Sequence, residues 1–274
     1  MQELKGRWAV VTGASSGIGE ALARALARRG MHLLVTARRA DRLERLAAEL
    51  TAAHGVQVEP LPLDLSEGSA ATVVTERAFS EARDVAVLVN NAGFADYQAF
   101  LHTPWERHKG MLELNVRALT ELTYRFLERR IAAAHASYVL NVASIGAFMP
   151  VPYFANYAAG KAYVLSFSEA LAAELVGSNV HVTCLCPGGT ATEFSDVAQQ
   201  RLSPTVRRTL MSSARVAEVG LRGLFRGRRV VIPGWTNRVI CFLTRLVPRR
   251  LIGFFSVRTI GRPEPPASLP RDGA

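Results

Sequence analysis

The sequence predicts an α/β chain: a doubly wound parallel sheet of about seven strands, helices on both faces, and a helical C-terminal extension. Three observations carry this expectation. Short β-branched runs alternate with helical periods through most of the chain. Those runs are apolar throughout, as strands covered on both faces are. At 274 residues, 49% apolar and 20% charged, the chain is long enough to bury one large sheet.

Taken in order, "WAVVTG" (8–13) reads as the first strand. "GIGEALARALARRG" (17–30) is a helix with Ile18, Leu22, Ala25 and Leu26 on one face and Gly30 as its stop. "MHLLVTA" (31–37) is the second strand, and "DRLERLAAELTAAHG" (41–55) a helix ending at Gly55. A third strand lies within 56–65 and a fourth in "VAVLVNNAG" (85–93). A helical stretch over 111–134 precedes the strand "SYVLNVAS" (137–144). A helix over about 155–176 precedes "VHVTCLCPGG" (180–189), and "RRVVIPG" (228–234) is the last strand. There is no internal repeat and no interdomain linker. Residues 1–235 are therefore expected to form one domain holding both cofactor and substrate sites, 236–262 a basic amphipathic extension, and 263–274 a Pro-rich flexible tail.

Composition narrows the function classes. The start, "MQELKGRW", has no apolar core of a secretory signal, and no apolar run reaches the ~18 residues needed to span a bilayer, so a cytoplasmic location is expected. Cys184 and Cys186 alternate on a strand and share a side; with Cys241 they read as buried free thiols, and no metal site is expected. Charge is uneven. Residues 1–200 carry 18 Lys+Arg against 20 Asp+Glu, whereas 201–262 carry 14 Arg against Glu218 alone. A polybasic end on a near-neutral body suggests an acidic partner or an anionic surface.

Two motifs carry chemistry. "TGASSGIG" (12–19) joins the first strand to the first helix; Gly13, Gly17 and Gly19 permit a tight turn that aims the helix N-terminus at a pyrophosphate. The acid that usually ends the second strand is replaced by "VTARR", with Arg38 and Arg39, which favours NADP(H) over NAD(H) through a 2′-phosphate. In "NYAAGK", Tyr157 and Lys161 stand four apart on one helix face. A phenol near pKa ~10 is a poor proton shuttle at neutrality, and a nearby ammonium would lower that value. Ser144 ends the preceding strand, at the carboxyl edge where its hydroxyl would meet a substrate oxygen.

These motifs, with "NNAG" (90–93), Asn115 in "ELNV" and "PGGT" (187–190), stand in an order that resembles the short-chain dehydrogenase/reductase family over about residues 5–235. The resemblance implies a Rossmann-type fold and an NADP-dependent oxidoreductase acting between a carbonyl and an alcohol. By it, Tyr157 is the general acid or base, Lys161 tunes it and holds the ribose, Ser144 polarises the carbonyl, and Asn115 anchors a proton relay through water. Gly13, Ser15, Ser16, Gly17, Ile18 and Gly19 would line the phosphates, with Arg38, Arg39 and Ser15 at the 2′-phosphate. Asp64 and Leu65 would meet adenine; Asn91, Ala92 and Gly93 the adenosine ribose; Pro187, Gly188 and Thr190 the nicotinamide end. The resemblance also implies a homodimer or homotetramer through the helices around 111–134 and 155–176. Two positions depart from the family pattern: Gly160 replaces the usual serine before the lysine, and Gly189 stands where many relatives have proline and is expected to loosen the loop after it.

Phe94, Phe148, Met149, Val151, Tyr153 and Phe194 are expected to line a pocket beside Ser144 and Tyr157, with few ionisable groups, and so to favour a hydrophobic ketone, aldehyde or alcohol. In 236–262, Val239, Ile240, Phe242, Leu243, Leu246 and Val247 form a broad apolar face beside Arg238 and Arg245, and Pro248 breaks the run. Three readings compete: a cap or oligomer contact, which is preferred; a peripheral membrane contact; and a surface steering an acidic substrate carrier. Nucleic acid is not expected, because the basic residues alternate with aliphatic ones. For the whole chain, the rivals to an NADPH-dependent carbonyl reductase are a non-catalytic nucleotide-binding regulator or scaffold and a lipid-modifying reductase at a membrane surface.

Overall fold

The computed structural model describes residues 2–198, 210–260 and 263. Its principal strands are β1 (Trp8–Thr12), β2 (His32–Ala37), β3 (Val58–Pro62), β4 (Val85–Asn90), β5 (Ser137–Val142) and β6 (Val180–Leu185). Two short strands, β7 (Thr190–Ala191) and β8 (Met211–Ser212), pair with each other, and β9 (Val230–Val231) completes the main sheet. That sheet has seven strands in the order β3-β2-β1-β4-β5-β6-β9, parallel throughout. The winding direction reverses between β1 and β4, so their carboxyl ends diverge and open a crevice.

Helices α1 (Gly17–Ala27), α2 (Ala40–His54) and α6 (Ala155–Glu174) form where the periodicity places them. The stretch expected over 111–134 starts earlier and is interrupted: α4 (Trp105–Leu112), a π-helical turn (Glu113–Ala118), then α5 (Leu119–Arg130). Two helices escaped the sequence reading. One is α3 (Ala70–Ala78). After the short α7 (Phe194–Val197), the other is α8 (Ser213–Leu224), where Ser212 caps the helix by accepting from Arg215 N at 3.3 Å. The period was present in α8, since Val216, Ala217, Gly220, Leu221 and Leu224 are its buried stripe, but its arginines drew attention to charge instead. The extension folds as α9 (Trp235–Leu243) and α10 (Arg249–Ile260), with Pro248 between them. Apart from Pro263, the expected flexible tail lies outside the described residues.

The central strands β1, β4 and β5 bury both faces, while β3 at the edge is only half-buried. In β1, Ala9 and Val11 pack toward Leu22, Leu26 and Leu221, while Trp8 and Val10 pack toward Val74, Leu122 and Phe126. This is why the strands read as continuous apolar runs.

One polar ladder crosses the dry centre. Asn90 Nδ2 donates to Thr123 Oγ1 and to Asn141 Oδ1, both at 2.9 Å, and Asn141 Nδ2 donates to Ser168 Oγ at 3.0 Å. It ties α5, β4, β5 and α6 together, and all four residues are buried. Removing one member strands its partners without water. Asn141→Ala is therefore expected to cost about 2–4 kcal/mol in urea unfolding. A loss within error of zero would show that the ladder adds nothing to stability.

Candidate active site

The glycine loop holds its shape through β4. Thr12 Oγ1 accepts from the backbone N–H groups of Asn91 at 2.9 Å and Ala92 at 3.0 Å. Asn91 Nδ2 in turn donates to Thr12 O at 2.9 Å and Gly13 O at 3.2 Å. Gly13 and Gly17 have φ of 66° and 61°, a left-handed conformation that glycine adopts without strain. A Cβ at Gly19 would overlap the Gly13 carbonyl and the Asn91 amide. Ser16 precedes α1 but makes no side-chain cap, so no side chain caps the first turn of that helix. Of the expected phosphate-loop residues, Ile18 packs partly into the core.

At the end of β2 the two arginines behave differently. Arg38 is 72% exposed, with Nη1 3.8 Å from Asp64 Oδ2. Arg39 lies back over the loop: its Nη2 donates to Ser15 Oγ at 3.0 Å and Ser16 Oγ at 2.7 Å. Its Nη1 donates to Glu193 Oε2 at 2.8 Å, and Arg42 holds the other Glu193 oxygen at 2.6 Å. These arginines hold the Glu193 carboxyl below the usual carboxylate range. Arg42 and Glu193 were missed by sequence reasoning because they join elements about 150 residues apart. Asp64 accepts from the Ser66 backbone and hydroxyl at 2.9 and 2.7 Å. Leu65, expected beside adenine, is buried in the core next to Asp64.

The π-helical turn carries Asn115 to Gly93. Asn115 Nδ2 donates to Phe94 O at 2.9 Å, and its Oδ1 accepts from Phe94 N at 3.1 Å. A Cβ on Gly93 would sit 2.8 Å from that Oδ1 and 3.5 Å from Lys161 Nζ, so the two side chains converge on this glycine.

Helix α6 places Tyr157 and Lys161 beside Ser144. Ser144 Oγ accepts from Gly146 N at 3.1 Å, capping the 3₁₀ turn Ile145–Phe148 and leaving the hydroxyl proton free to donate. Burial pushes the Tyr157 phenol up to about 12, with the neighbouring Ser144 hydroxyl acting against it. This is the opposite direction to the one the Tyr–Lys spacing suggested. Lys161 Nζ donates to Val142 O at 2.8 Å and lies over the Tyr157 ring, 5.7 Å from its centre. Burial pushes its ammonium down to about 8, and the neighbouring Cys184 and Cys186 raise it slightly. Those thiols are buried, 3.7 Å apart, on the same side of β6.

The expected pocket assembles in part. Met149, Val151, Tyr153 and Phe194 gather round Tyr157, whose ring centre lies 5.4 Å from Phe194. Two expected members do not join them. Phe148 packs toward Leu119, Val164 and Cys186. Phe94 turns to α4, against Gly110 and under Arg107 at 5.1 Å. Tyr97 and Phe154 complete the aromatic wall in their place, with ring centres 4.9 Å apart. Tyr153 has φ of 66°, a conformation a non-glycine residue adopts only when its surroundings enforce it. A cavity of about 60 Å³ beside Tyr157 is also lined by Asp96, Gln98, His108 and Asn156, so the wall is more polar than the sequence suggested.

At the far end, Pro187 O accepts from Ile145 N at 2.9 Å, and Thr190 Oγ1 donates to Gly188 O at 3.0 Å. A Cβ on Gly189 would lie 2.7 Å from Leu210. This glycine thus allows a close approach to the Leu210 side chain. Gly160 is different: an added Cβ would make ordinary contact with Val116 at 3.6 Å.

Two outcomes follow from these environments. Gly160→Ala is expected to stabilise the fold by up to about 1 kcal/mol in chemical denaturation, since helix propensity rises and nothing blocks the methyl. A destabilised variant would show that the glycine is sterically required. Above about pH 8 the folded chain holds Lys161 neutral, while the unfolded chain keeps that amine charged to its ordinary 10.5. The unfolded state then binds more protons, so stability rises between pH 8 and 10.5, by about 3 kcal/mol. Lys161→Met should flatten that rise. An unchanged pH slope would mean that the ammonium pays no burial cost.

Comparison with known proteins agrees with this geometry. The short chain dehydrogenase family matches residues 7–203. A 7beta-hydroxysteroid dehydrogenase of Collinsella aerofaciens is 33% identical over 199 residues, covering 70% of this chain and 72% of that enzyme. A short-chain dehydrogenase from Sphingobium yanoikuyae in complex with NADPH superposes with a TM-score of 0.78 at 31% identity, over 96% of this chain and 98% of that one. One from Burkholderia phymatum in complex with NAD does so with a TM-score of 0.80 at 26% identity, over 98% and 100%. The glycine loop against Asn91, Asn115 on Gly93, and Ser144 and Tyr157 beside the buried Lys161 thus belong to a member of the short-chain dehydrogenase family, an oxidoreductase acting between carbonyl and alcohol.

Proposed function

We propose that the chain is an NADPH-dependent carbonyl reductase acting on a hydrophobic ketone or aldehyde, or its reverse on the alcohol. The observation that carries the reading is the group of half-buried Ser144 and Tyr157 with buried Lys161 at the carboxyl edge of the sheet. The residues present fit a nicotinamide dinucleotide: α1 opens with no side-chain cap behind two left-handed glycines, and guanidinium groups replace the acid at the end of β2. When bound, that cofactor supplies or accepts the hydride.

The chain's own residues handle the proton. Tyr157, with its pKa pushed up to about 12, keeps its proton at neutral pH and presents it to the substrate oxygen. Ser144, fixed as acceptor by Gly146, directs its own proton at the same oxygen. Lys161 holds a positive charge below about pH 8 and supports that phenolate electrostatically. Asn115, bonded to Phe94 at both ends of its amide, positions Gly93 beside the ammonium.

Arg39 on Ser15 and Ser16 supports a preference for a 2′-phosphate, with Arg38 free to join it. Glu193 opposes that preference, because its carboxylate takes up Arg39 and Arg42. The aromatic wall of Tyr97, Phe154 and Phe194 supports an apolar substrate with one oxygen to be held. Helices α4 to α6 expose Trp105, Leu112, Tyr124 and Tyr163, which suits contact with a second copy of the chain.

The test is NADPH consumption over a panel of hydrophobic ketones and aldehydes, run beside NADH and beside Tyr157→Phe. Turnover should favour NADPH and fall at least about a hundredfold in the variant. Equal use of NADH would overturn the cofactor preference. Tight NADPH binding with no turnover on any substrate would favour the non-catalytic scaffold.

A further inference from the structure

Helix α9 has its polarity reversed. A helix on a protein surface normally buries its apolar stripe and turns polar groups to water. Here the inward stripe is Asn237, Cys241 and Thr244, with Cys241 buried and the other two half-buried. Asn237 Nδ2 donates to Pro233 O at 2.7 Å and lies close against Gly188. Trp235, Val239, Ile240, Phe242, Leu243 and, in the turn that follows, Leu246 all face outward, with Trp235 75% and Leu246 67% exposed. The cap expected from the sequence is therefore not made by this face. Only α10 caps, with Ile252 buried and Ser256 Oγ donating to Pro150 O at 3.5 Å.

The rim of the face is cationic. Arg238 and Arg245 on α9 and its following turn, and Arg249 and Arg250 at the start of α10, are all exposed. Arg238 donates to Ile232 O at 2.9 Å, and none of the four meets a carboxylate among the described residues. Residues 219–263 contain ten arginines and no Asp or Glu. The last acid before them, Glu218, is engaged elsewhere: it binds Arg28 at 2.9 Å and Arg29 at 2.6 Å, just past the end of α1, which lower its carboxyl to about 2.

We propose that α9 and the turn to Leu246 form an interfacial element that docks this protein on an anionic lipid surface. Acyl chains accept the Trp, Phe and Leu side chains, anionic headgroups neutralise the arginines, and the arginine stems lie along the apolar boundary. A second copy fits this face less well. A two-fold interface would bring the same arginine-rich patch onto itself, with no carboxylate to separate the charges. The proposal goes beyond the reductase reading and does not depend on it. It has a spatial consequence for the site, because α9 packs against the Ile145–Phe148 turn and Gly188. Docking sets the substrate end of the crevice beside the lipid.

The test is co-sedimentation of the full-length chain with vesicles of phosphatidylcholine alone, and with about one part in three phosphatidylglycerol. Binding is expected to the anionic vesicles only, and to weaken as salt is raised. The double variant Phe242→Ser, Leu246→Ser should lower the partition coefficient about tenfold or more. Both side chains are exposed, so an unchanged melting temperature certifies the fold of the variant. Arg245→Glu with Arg249→Glu should abolish the preference for anionic vesicles. No binding to either vesicle, or equal binding by wild type and the double variant, overturns the proposal. So does a dimer in sedimentation velocity that the double variant loses while neither protein binds lipid.

Discussion

The hydrogen bond from Lys161 Nζ to the Val142 carbonyl holds an ammonium where water hardly reaches, and much of the site is arranged round it. An ammonium in such surroundings is costly, and its lowered pKa expresses that cost. The carbonyl that receives it is free because β5 ends there and the chain turns through Ser144. Asn115 and Gly93 close the third side, and only a glycine fits between an amide oxygen and the ammonium. The π-helical turn makes this possible by bringing Asn115 to Gly93 between α4 and α5.

The same economy of partners recurs across the body of the protein. Arg7 and Arg130 share Asp84 at 2.7 and 2.8 Å, fastening the N-terminal strand and α5 to the loop before β4. Arg28 and Arg29 share Glu218, joining α1 to α8. Arg39 and Arg42 share Glu193, joining the second βα unit to the segment after β7. All three carboxylates bridge elements remote in sequence whose contact only the folded chain creates. Near neutrality between 1 and 200, the chain can supply such acids; between Glu218 and Glu264 it has none, and the arginines of that stretch meet no carboxylate among the described residues. The reversed helix α9 lies within that unmatched stretch.

Much of the architecture was legible in the sequence because its causes are local. Continuous apolar strands, the spacing of Leu22 and Leu26, and the glycines of "TGASSGIG" each report a backbone demand that neighbours in sequence express. The missed helices had weaker local signals. Helix α3 is a single short period, and α8 contains Gly220 and Gly223, residues that normally argue against a helix. Their reason is tertiary: a Cβ at Gly220 would stand 2.8 Å from Leu185, and one at Gly223 would overlap Val231. The pocket was legible only as segments. Phe94 and Phe148 turn away from Tyr157 while Tyr97 and Phe154 turn toward it, and rotamer direction inside a loop has no sequence period to reveal it.

By itself, the sequence determined the parallel sheet, the order of its motifs, and which side chains could carry a proton or hold a phosphate. Those depend on residue type and on spacing along one element. The tertiary structure decided how these groups are tuned. It shielded Tyr157 and buried Lys161 so that both shift toward their neutral forms, and gave the ammonium a backbone carbonyl as its hydrogen-bond partner. It set Arg39 and not Arg38 over the loop serines. It also turned the apolar face of α9 outward, where the sequence could show only that such a face existed. Desolvation and facing are properties of the surrounding volume, and that volume is filled by residues remote along the chain.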